Sequence, residues 1–333
     1  IFRHPLKTSL LSAADVKSNP YAVLMMGPVS RFVNRLGANF RWQHLPVPFE
    51  VYADGIDLVV FEEFGAGAAT LHLRDELERN ELLRDESYRR EFRKQYASKF
   101  GVRVWHRDFF DAEIVDCPDA SVVGKSFGEV GRDRGGLHPV DAFLDLVLEH
   151  GRALRWCTTI SNHRPEVLKM LARDPGIQMG FSDAGAHLRN MAFYNMGLRL
   201  LRHVLDAEKA GKPFMTIEQA VHRLTGELAD WYRIDAGHLR IGDRADVVII
   251  DPERLDESLD DYAEEQVEQY GGLSRMVNRN DRTVNAVFVG GRAVFIDGTA
   301  SDLVGKQRTG RFLRAAHKAP AVTSQEGELA SVG

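Results

Sequence analysis

The chain has 333 residues, of which 44% are hydrophobic and 27% are charged, and its formal net charge at pH 7 is −5. This balance is typical of a globular protein and excludes disordered and collagen-like chains. The slight acidic excess disfavours general nucleic-acid binding, which needs a basic surface. Two cysteines exclude a disulfide-stapled fold, and no apolar run is long enough to span a bilayer. With no signal-peptide pattern visible, we expect a cytoplasmic protein without nucleic-acid or membrane partners.

Local signals divide the first hundred residues into short elements. Residues 30–36 have the spacing of a helix, which ends at Gly37. Residues 39–45 alternate like a strand, and the proline that follows ends the strand. Residues 71–100 are dense in acidic and basic side chains, which predicts one or two solvated helices that form a charged insertion or a lid.

From residue 101 onward, strand and helix patterns alternate. Strand patterns cover residues 112–116, 153–160 and 176–181. The helical pattern over residues 139–150 has a proline at its start and a glycine directly after its end, and a second helix begins at Pro165. Strands and helices in this order, joined by short loops, predict βαβ units and a parallel sheet.

The last hundred residues change from helical to strand patterns. Thr216 is followed three residues later by Gln219, the pattern of a capping box at a helix start. Two alternating runs flank Gly290-Gly291 and predict a β-hairpin. Together with an earlier apolar run, they predict a small all-β module over residues 235–300. Residues 301–333 are expected to form a C-terminal extension, with a loose tail from about residue 318.

One predicted strand end carries a clear candidate for catalysis. In a parallel α/β barrel the reactive groups lie at the C-terminal ends of the strands. Asp183 follows an apolar strand directly, with small residues beside it. A carboxylate there is suited to ligate a metal, or to act as the base that takes a proton from metal-bound water. His187 is close enough along the chain to reach the same pocket. The alternatives are a helix N-cap for Asp183 and a surface position for His187.

Two further strand ends carry weaker candidates for substrate contact. His163 follows the second strand of this alternation and is a candidate for the pocket. Asn162, directly before it, is predicted to cap the helix that begins near Pro165. His44 is a candidate at the end of the first strand, with a packed core histidine as its alternative. The sequence contains no HExxH, P-loop, strand-associated GxGxxG or GxSxG motif.

The C-terminal half resembles a known superfamily. Residues 237–252 (GHLRIGDRADVVIIDP) resemble the closing signature of the amidohydrolase superfamily, and residues 285–294 (NAVFVGGRAV) resemble the strand pair that follows it. The strings GFSDAGAHL, VGKSF and HPVDAFLD narrow the resemblance to the N-acyl-D-amino-acid deacylase, or D-aminoacylase, branch. The resemblance covers roughly residues 37–300.

This resemblance implies a fold and a chemistry. Residues 1–234 are expected to form the second half of a TIM-like (β/α)8 metal-dependent hydrolase barrel, beside a small β-sandwich portion over residues 235–300. One or two zinc ions are expected at the C-terminal mouth of the barrel, where the metal polarises the amide carbonyl. Asp183 matches the family's catalytic aspartate, which accepts the proton of the attacking water and touches the metal. His187 is expected to shape the pocket or contact substrate. Arg189 is a candidate for the carboxylate of a D-amino acid, with a solvated arginine as its alternative.

The chain departs from the family at the metal ligands. The family carries an HxH pair on its first strand, whereas no two of the 12 histidines here are two positions apart. We therefore expect the remaining zinc ligands to come from an N-terminal half of the barrel or from a partner chain, and a homo-oligomer is compatible with this. The expected reaction is hydrolysis of an N-acyl-D-amino acid to a D-amino acid and a carboxylate. The alternatives are a superfamily hydrolase of another amide, a urea or a lactam, and a metal-free relative that acts as a binding protein.

Overall fold

The computed structural model describes residues 7–9, 12–100, 103–183, 185–268 and 271–315. It divides into two compact units. The first contains the residues up to Leu200 together with Glu257–Arg279, and the second contains Leu201–Asp256 together with the residues from Asn280 onward. The loose tail predicted from about residue 318 lies outside the described residues.

Helices are numbered here in chain order. The α-helices of the described residues are α1 Met26–Arg35, α2 Gly65–His72, α3 Glu76–Arg84, α4 Glu86–Ala97, α5 Phe127–Asp133, α6 Pro139–His150, α7 Pro165–Arg173, α8 Met196–Lys209, α9 Ile217–Leu224 and α10 Gly226–Tyr232. Short 3-10 helices occupy Ala22–Met25, Val59–Glu63, Gly151–Ala153, Pro252–Arg254 and Glu257–Asp260. None of the helices in the described ranges has both the length and the apolar character needed to cross a membrane.

Strands are numbered in the same way. The strands of the described residues are β1 Lys7–Thr8, β2 Asn39–Phe40, β3 Trp42–His44, β4 Phe49–Asp54, β5 Ala112–Asp116, β6 Arg155–Ser161, β7 Ile177–Met179, β8 Val247–Ile250, β9 Ala263–Val267, β10 Leu273–Val277, β11 Val284–Val289, β12 Arg292–Ile296 and β13 Thr299–Ala300. They form sheets of two to four strands, and within the described residues none of these sheets closes on itself. The structure is therefore mixed α/β, and the predicted barrel half is not seen in it.

The strand pairing of the first unit corrects the predicted parallel sheet. Strand β6 lies between β4 and β5 and is antiparallel to both, whereas β7 pairs in parallel with β3. The prediction of parallel β5 and β6 was wrong because two helices, α5 and α6, separate these strands where the sequence pattern indicated one. A single helix between two strands favours a parallel crossover, whereas two helices in succession allow the chain to return to the end from which it left.

Aromatic rings dominate the core of the first unit. Phe61, Trp105, Phe143 and Trp156 are each fully buried. The rings of Phe61 and Phe143 stack with their centroids 5.4 Å apart, and the two tryptophans lie 6.1 Å apart. This cluster packs β6 against α6. It therefore supports the strand that ends at the candidate site described below.

Local start and stop signals position α6 and α9 as predicted, whereas α1 begins at Met26, before the predicted start at residue 30. Helix α6 has Pro139 in its first turn and ends at Gly151, which adopts a positive φ of 55°. Helix α9 begins with the full capping box between Thr216 and Gln219. The charged segment over residues 71–100 forms α3 and α4, as predicted, but α4 also buries Phe92 and Tyr96 and is not simply solvated.

The second unit contains one antiparallel sheet in the order β13-β12-β11-β8. The predicted hairpin is confirmed, because β11 and β12 pair directly and the two glycines at its turn both have positive φ. The described residues of this unit contain this single sheet and no second one packed against it as in a sandwich. The hairpin β9–β10 falls instead within the first unit.

A buried asparagine joins three chain segments at the end of β6. The side chain of Asn162 accepts a hydrogen bond from the Asp15 N–H at 3.0 Å and donates to the carbonyls of Leu45 and Val47 at 2.9 and 3.2 Å. The residue is 1% exposed and has a φ of 61°. The predicted role as a helix cap was wrong, because Arg164 is the N-cap of α7. The Asn162 amide is instead used to hold neighbouring segments together.

Replacing this amide tests its structural importance. The substitution Asn162→Ala removes three buried hydrogen bonds and leaves their backbone partners unsatisfied, so we expect the free energy of unfolding to fall by about 2–4 kcal/mol. Urea denaturation followed by circular dichroism measures this change. Asn80→Ala, on helix α3, is the matched control and is expected to change stability by less than about 0.5 kcal/mol. An equal effect of both substitutions would contradict the assigned role.

Candidate functional site

A cavity of about 580 Å³ lies in the first unit. Its size is within the range of small-molecule binding sites, and its walls are mainly apolar with a few polar groups, as such sites usually are. The residues that line it are Ser12, Ala14, Val16, Phe49, Val51, Leu58, Val59, Val60, Glu62, Glu63, Val104, Ile160, Ser161, Phe181, Asp183, His187 and Met191.

Asp183 reaches the cavity from the end of a buried strand. All three residues of β7 are buried, and the N–H of Gly180 donates to the His44 carbonyl at 3.1 Å, which continues the pairing with β3. Asp183 adopts a φ of 51°, a left-handed conformation that aspartate tolerates better than most residues. Helix α8 begins 13 residues later, at Met196. The alternative of a helix N-cap is therefore wrong for Asp183.

His187 lies beside Asp183 in the same cavity. Its Nε2 atom is 3.6 Å from the Asp183 Oδ2 atom, and the two side chains are 24% and 43% exposed. The turn between them is closed by a hydrogen bond from the Ala186 N–H to the Asp183 carbonyl. The structure thus brings together the two residues that the sequence selected. Their chemical roles remain predictions.

The other two predicted histidines are placed differently. His44 is fully buried, and its Nδ1 atom lies 2.8 Å from the Ala13 carbonyl oxygen, which favours the alternative of a packed core histidine. His163 is partly exposed, with its Nδ1 atom 3.7 Å from a carboxylate oxygen of Asp15. Neither residue is among the described residues that line the cavity. The residues of this strand end that do line the cavity are Ile160 and Ser161.

Arg189 is held by two carboxylates, and 29% of its side chain is exposed. Its Nε donates to Asp54 at 2.7 Å, and its Nη1 donates to Glu264 at 3.1 Å. Arg155 donates to the other Asp54 oxygen at 2.6 Å. Burial by itself would raise the pKa of Asp54, but the hydrogen bonds from Arg189 and Arg155 outweigh it and keep this pKa below its ordinary value. The guanidinium of Arg189 is thus engaged within the protein, and its predicted binding of a substrate carboxylate stays untested.

Sequence reasoning missed the residues that hold the candidate loop in place. Asp54 ends β4, and Asn190 follows Arg189 with its side chain donating to the Tyr52 carbonyl at 2.7 Å. Asp54 and Arg189 are 135 positions apart. The alternating pattern of β4 could have revealed a buried strand that ends in a carboxylate. No local signal could have identified the arginine that pairs with it.

The described residues do not form a complete metal site. No three His, Cys, Asp or Glu side chains converge within them in a way that could hold a metal ion. Asp183 and His187 are two candidate ligands, whereas a catalytic zinc ion takes three ligands from the protein. The zinc expected from the resemblance therefore does not fit on these residues alone.

Similar proteins were found among curated sequences and among solved structures. No protein-family model matches the chain. Uncharacterized proteins of Mycobacterium tuberculosis and Mycobacterium bovis are 59% identical to it over 321 residues, which is 94% of this chain and 52% of each relative. The chain thus spans about half the length of the curated relatives it matches.

The solved structures found include a D-aminoacylase and an N-acyl-D-glutamate deacylase. An N-acyl-D-glutamate deacylase of Bordetella bronchiseptica, in complex with zinc and a phosphonate inhibitor, is 19% identical, with a TM-score of 0.47 over 89% of this chain and 46% of that one. A D-aminoacylase is 18% identical, with a TM-score of 0.36 over 61% of this chain and 37% of that one.

The exposure of Asp183 predicts that it contributes little to stability. Its carboxylate is nearly half exposed, and its contact with His187 is longer than a hydrogen bond. We expect Asp183→Asn to change the free energy of unfolding by less than about 0.5 kcal/mol in urea denaturation. A loss of several times that amount would assign Asp183 a structural function.

The ion pairs of Asp54 predict a dependence of stability on pH. Because its folded-state pKa is lowered below the ordinary 3.8, Asp54 stabilises the fold at pH values above that figure. This contribution is lost as the pH falls through the lowered folded-state pKa. We expect the stability difference between wild type and Asp54→Asn, measured by urea denaturation at several pH values, to shrink below about pH 4. A difference that does not change between pH 7 and pH 2 would contradict this.

Proposed function

We propose that this chain carries part of the active site of a metal-dependent amidohydrolase, and that the enzyme cleaves the amide C–N bond of an N-acyl-D-amino acid. The observation that carries the proposal is the position of Asp183. It follows the end of the buried strand β7, opens on a cavity of about 580 Å³ and has His187 beside it. The motif around Asp183 is also part of the resemblance to the deacylase branch.

Asp183 is suited to the transfer of protons in this reaction. Its carboxylate accepts a proton from the water whose oxygen attacks the amide carbon, and it then gives that proton to the nitrogen as the C–N bond breaks. A carboxylate placed in this way typically contributes a factor of about 10²–10⁴ to the rate. His187 lies close enough to contact the same substrate. The apolar walls provide a surface for the acyl group.

Zinc belongs to the proposal but is not accounted for by the described residues. Asp183 would be one ligand, and the others would come from a segment or a partner chain outside these 333 residues. The length of the relatives supports this, because the chain spans only 52% of them. The activity, the substrate and the partners of the whole protein are therefore proposals.

Activity measurements test the proposal. We expect turnover of N-acetyl-D-amino acids by the protein with its metal ligands complete, and a fall in kcat of about 10²–10⁴-fold for Asp183→Asn. Glu166→Gln, a change of an exposed carboxylate on α7, is the matched control and should leave kcat unchanged.

A panel of substrates separates the alternatives. Turnover of other amides, ureas or lactams, without turnover of N-acyl-D-amino acids, would place the enzyme elsewhere in the superfamily. An Asp183→Asn protein as active as wild type would contradict the role of this carboxylate. Binding of an N-acyl-D-amino acid without any hydrolysis would favour a metal-free binding protein.

A further inference from the structure

Two acidic and two basic side chains form a network beside the loop that carries the candidate site. Asp54 at the end of β4 is 6% exposed and accepts hydrogen bonds from Arg155 and Arg189. Glu264 on β9 contacts the same two arginines, at 3.0 Å from Arg155 and 3.1 Å from Arg189. The group contains two positive and two negative side chains, so its charge is balanced. Charge-assisted bonds of this kind are among the stronger ones in proteins.

Arg189 joins this network to the site because it is two residues from His187. Its neighbour Asn190 is attached to β4 by two bonds, since its carbonyl accepts the Tyr52 N–H at 2.9 Å and its side-chain amide donates to the Tyr52 carbonyl at 2.7 Å. The backbone directly after His187 is therefore fixed to a core strand. Asp183, Gly185 and Ala186, which precede His187, are exposed.

The hairpin β9–β10 holds the loop from its other side. The N–H of Met276 donates to the Leu188 carbonyl at 2.8 Å, and Met276 is 1% exposed. Glu264, on the opposite strand, pairs with Met276 in the hairpin register and reaches Arg189 with its carboxylate. The loop residues 187–190 are thus held between β4 and a hairpin that the deacylase motifs of the sequence do not include.

We propose that Asp54 and Glu264 are positioning residues for the candidate active site, and that they act through Arg189 to keep His187 and Asp183 at the cavity. The catalytic part of this inference rests on the proposed function, whereas the ordering of the loop does not. In this arrangement Arg189 fixes the loop and does not bind the carboxylate of the substrate. A misplacement of catalytic groups by about 1 Å is enough to reduce a rate strongly.

Two measurements on the same variants test the inference. Amide hydrogen exchange reports the order of residues 185–195 and needs no activity. Steady-state kinetics with an N-acetyl-D-amino acid separates kcat from KM. We expect Asp54→Asn to speed exchange in this segment by about tenfold or more, and to lower kcat by about tenfold or more with KM changed less than twofold. Glu264→Gln should show the same pattern to a smaller extent.

Matched variants control for general effects on the hairpin. Arg279→Gln removes an exposed ion pair with Glu265 on the same hairpin and should change neither readout. Arg189→Lys keeps the positive charge but loses the guanidinium group that bonds to both carboxylates. It should therefore behave like Glu264→Gln. If Asp54→Asn does not fold, Glu264→Gln and Arg189→Lys decide the question alone.

Three outcomes would overturn the inference. The first is an exchange rate and a kcat in Asp54→Asn that both equal those of wild type. If Asp54→Asn does not fold, the same comparison is made with Glu264→Gln. The second is a rise in KM of about tenfold with unchanged kcat in Arg189→Lys, which would assign Arg189 to the substrate carboxylate. The third is faster exchange that Arg279→Gln reproduces. An inactive wild-type protein would remove the proposed function, while the exchange data would still decide whether these residues order the loop.

Discussion

A buried carboxylate between two arginines connects the fold of the first unit to its candidate site. Placing Asp54 in the interior costs solvation energy, and this cost is offset only because Arg155 and Arg189 both donate to it. Removal of one partner from such a group typically costs about 3–5 kcal/mol, because the remaining charge is left uncompensated. The ion pair with Asp54 therefore fixes where Arg189 lies, and with it His187, which is two residues away.

The candidate site combines a buried strand with an exposed carboxylate. Strand β7 is buried along its whole length, and the aromatic cluster around Trp156 supports β6 beside the cavity. Asp183 leaves this support with a left-handed backbone and a half-exposed carboxylate. Such an arrangement leaves the carboxylate open to solvent, while the residues behind it carry the stability.

The sequence predicted those features that depend on local patterns. The ends of α6, the capping box of α9 and the turn at Gly290 follow from residue types that satisfy nearby backbone groups. The rule that chemistry lies at strand ends pointed to Asp183 and His187, which the structure brings to one cavity, and their chemical roles stay predictions. The bonds of Asn162 and Asp54 join residues more than 100 positions apart, and no local pattern encodes them. The antiparallel pairing of β5 and β6 was missed for a related reason. It depends on the end of the sheet to which the two intervening helices bring the chain back.

The most direct test of the proposed metal-dependent function is the zinc content of the purified protein, measured together with the native mass of the same sample. We propose that Asp183 serves a metal-dependent hydrolase whose other ligands lie outside these 333 residues. We therefore expect one or two zinc ions in a sample heavier than the 37.4 kDa of this chain, and none in a sample of that mass. Stoichiometric zinc at 37.4 kDa, or a heavier sample without zinc, would contradict the proposal.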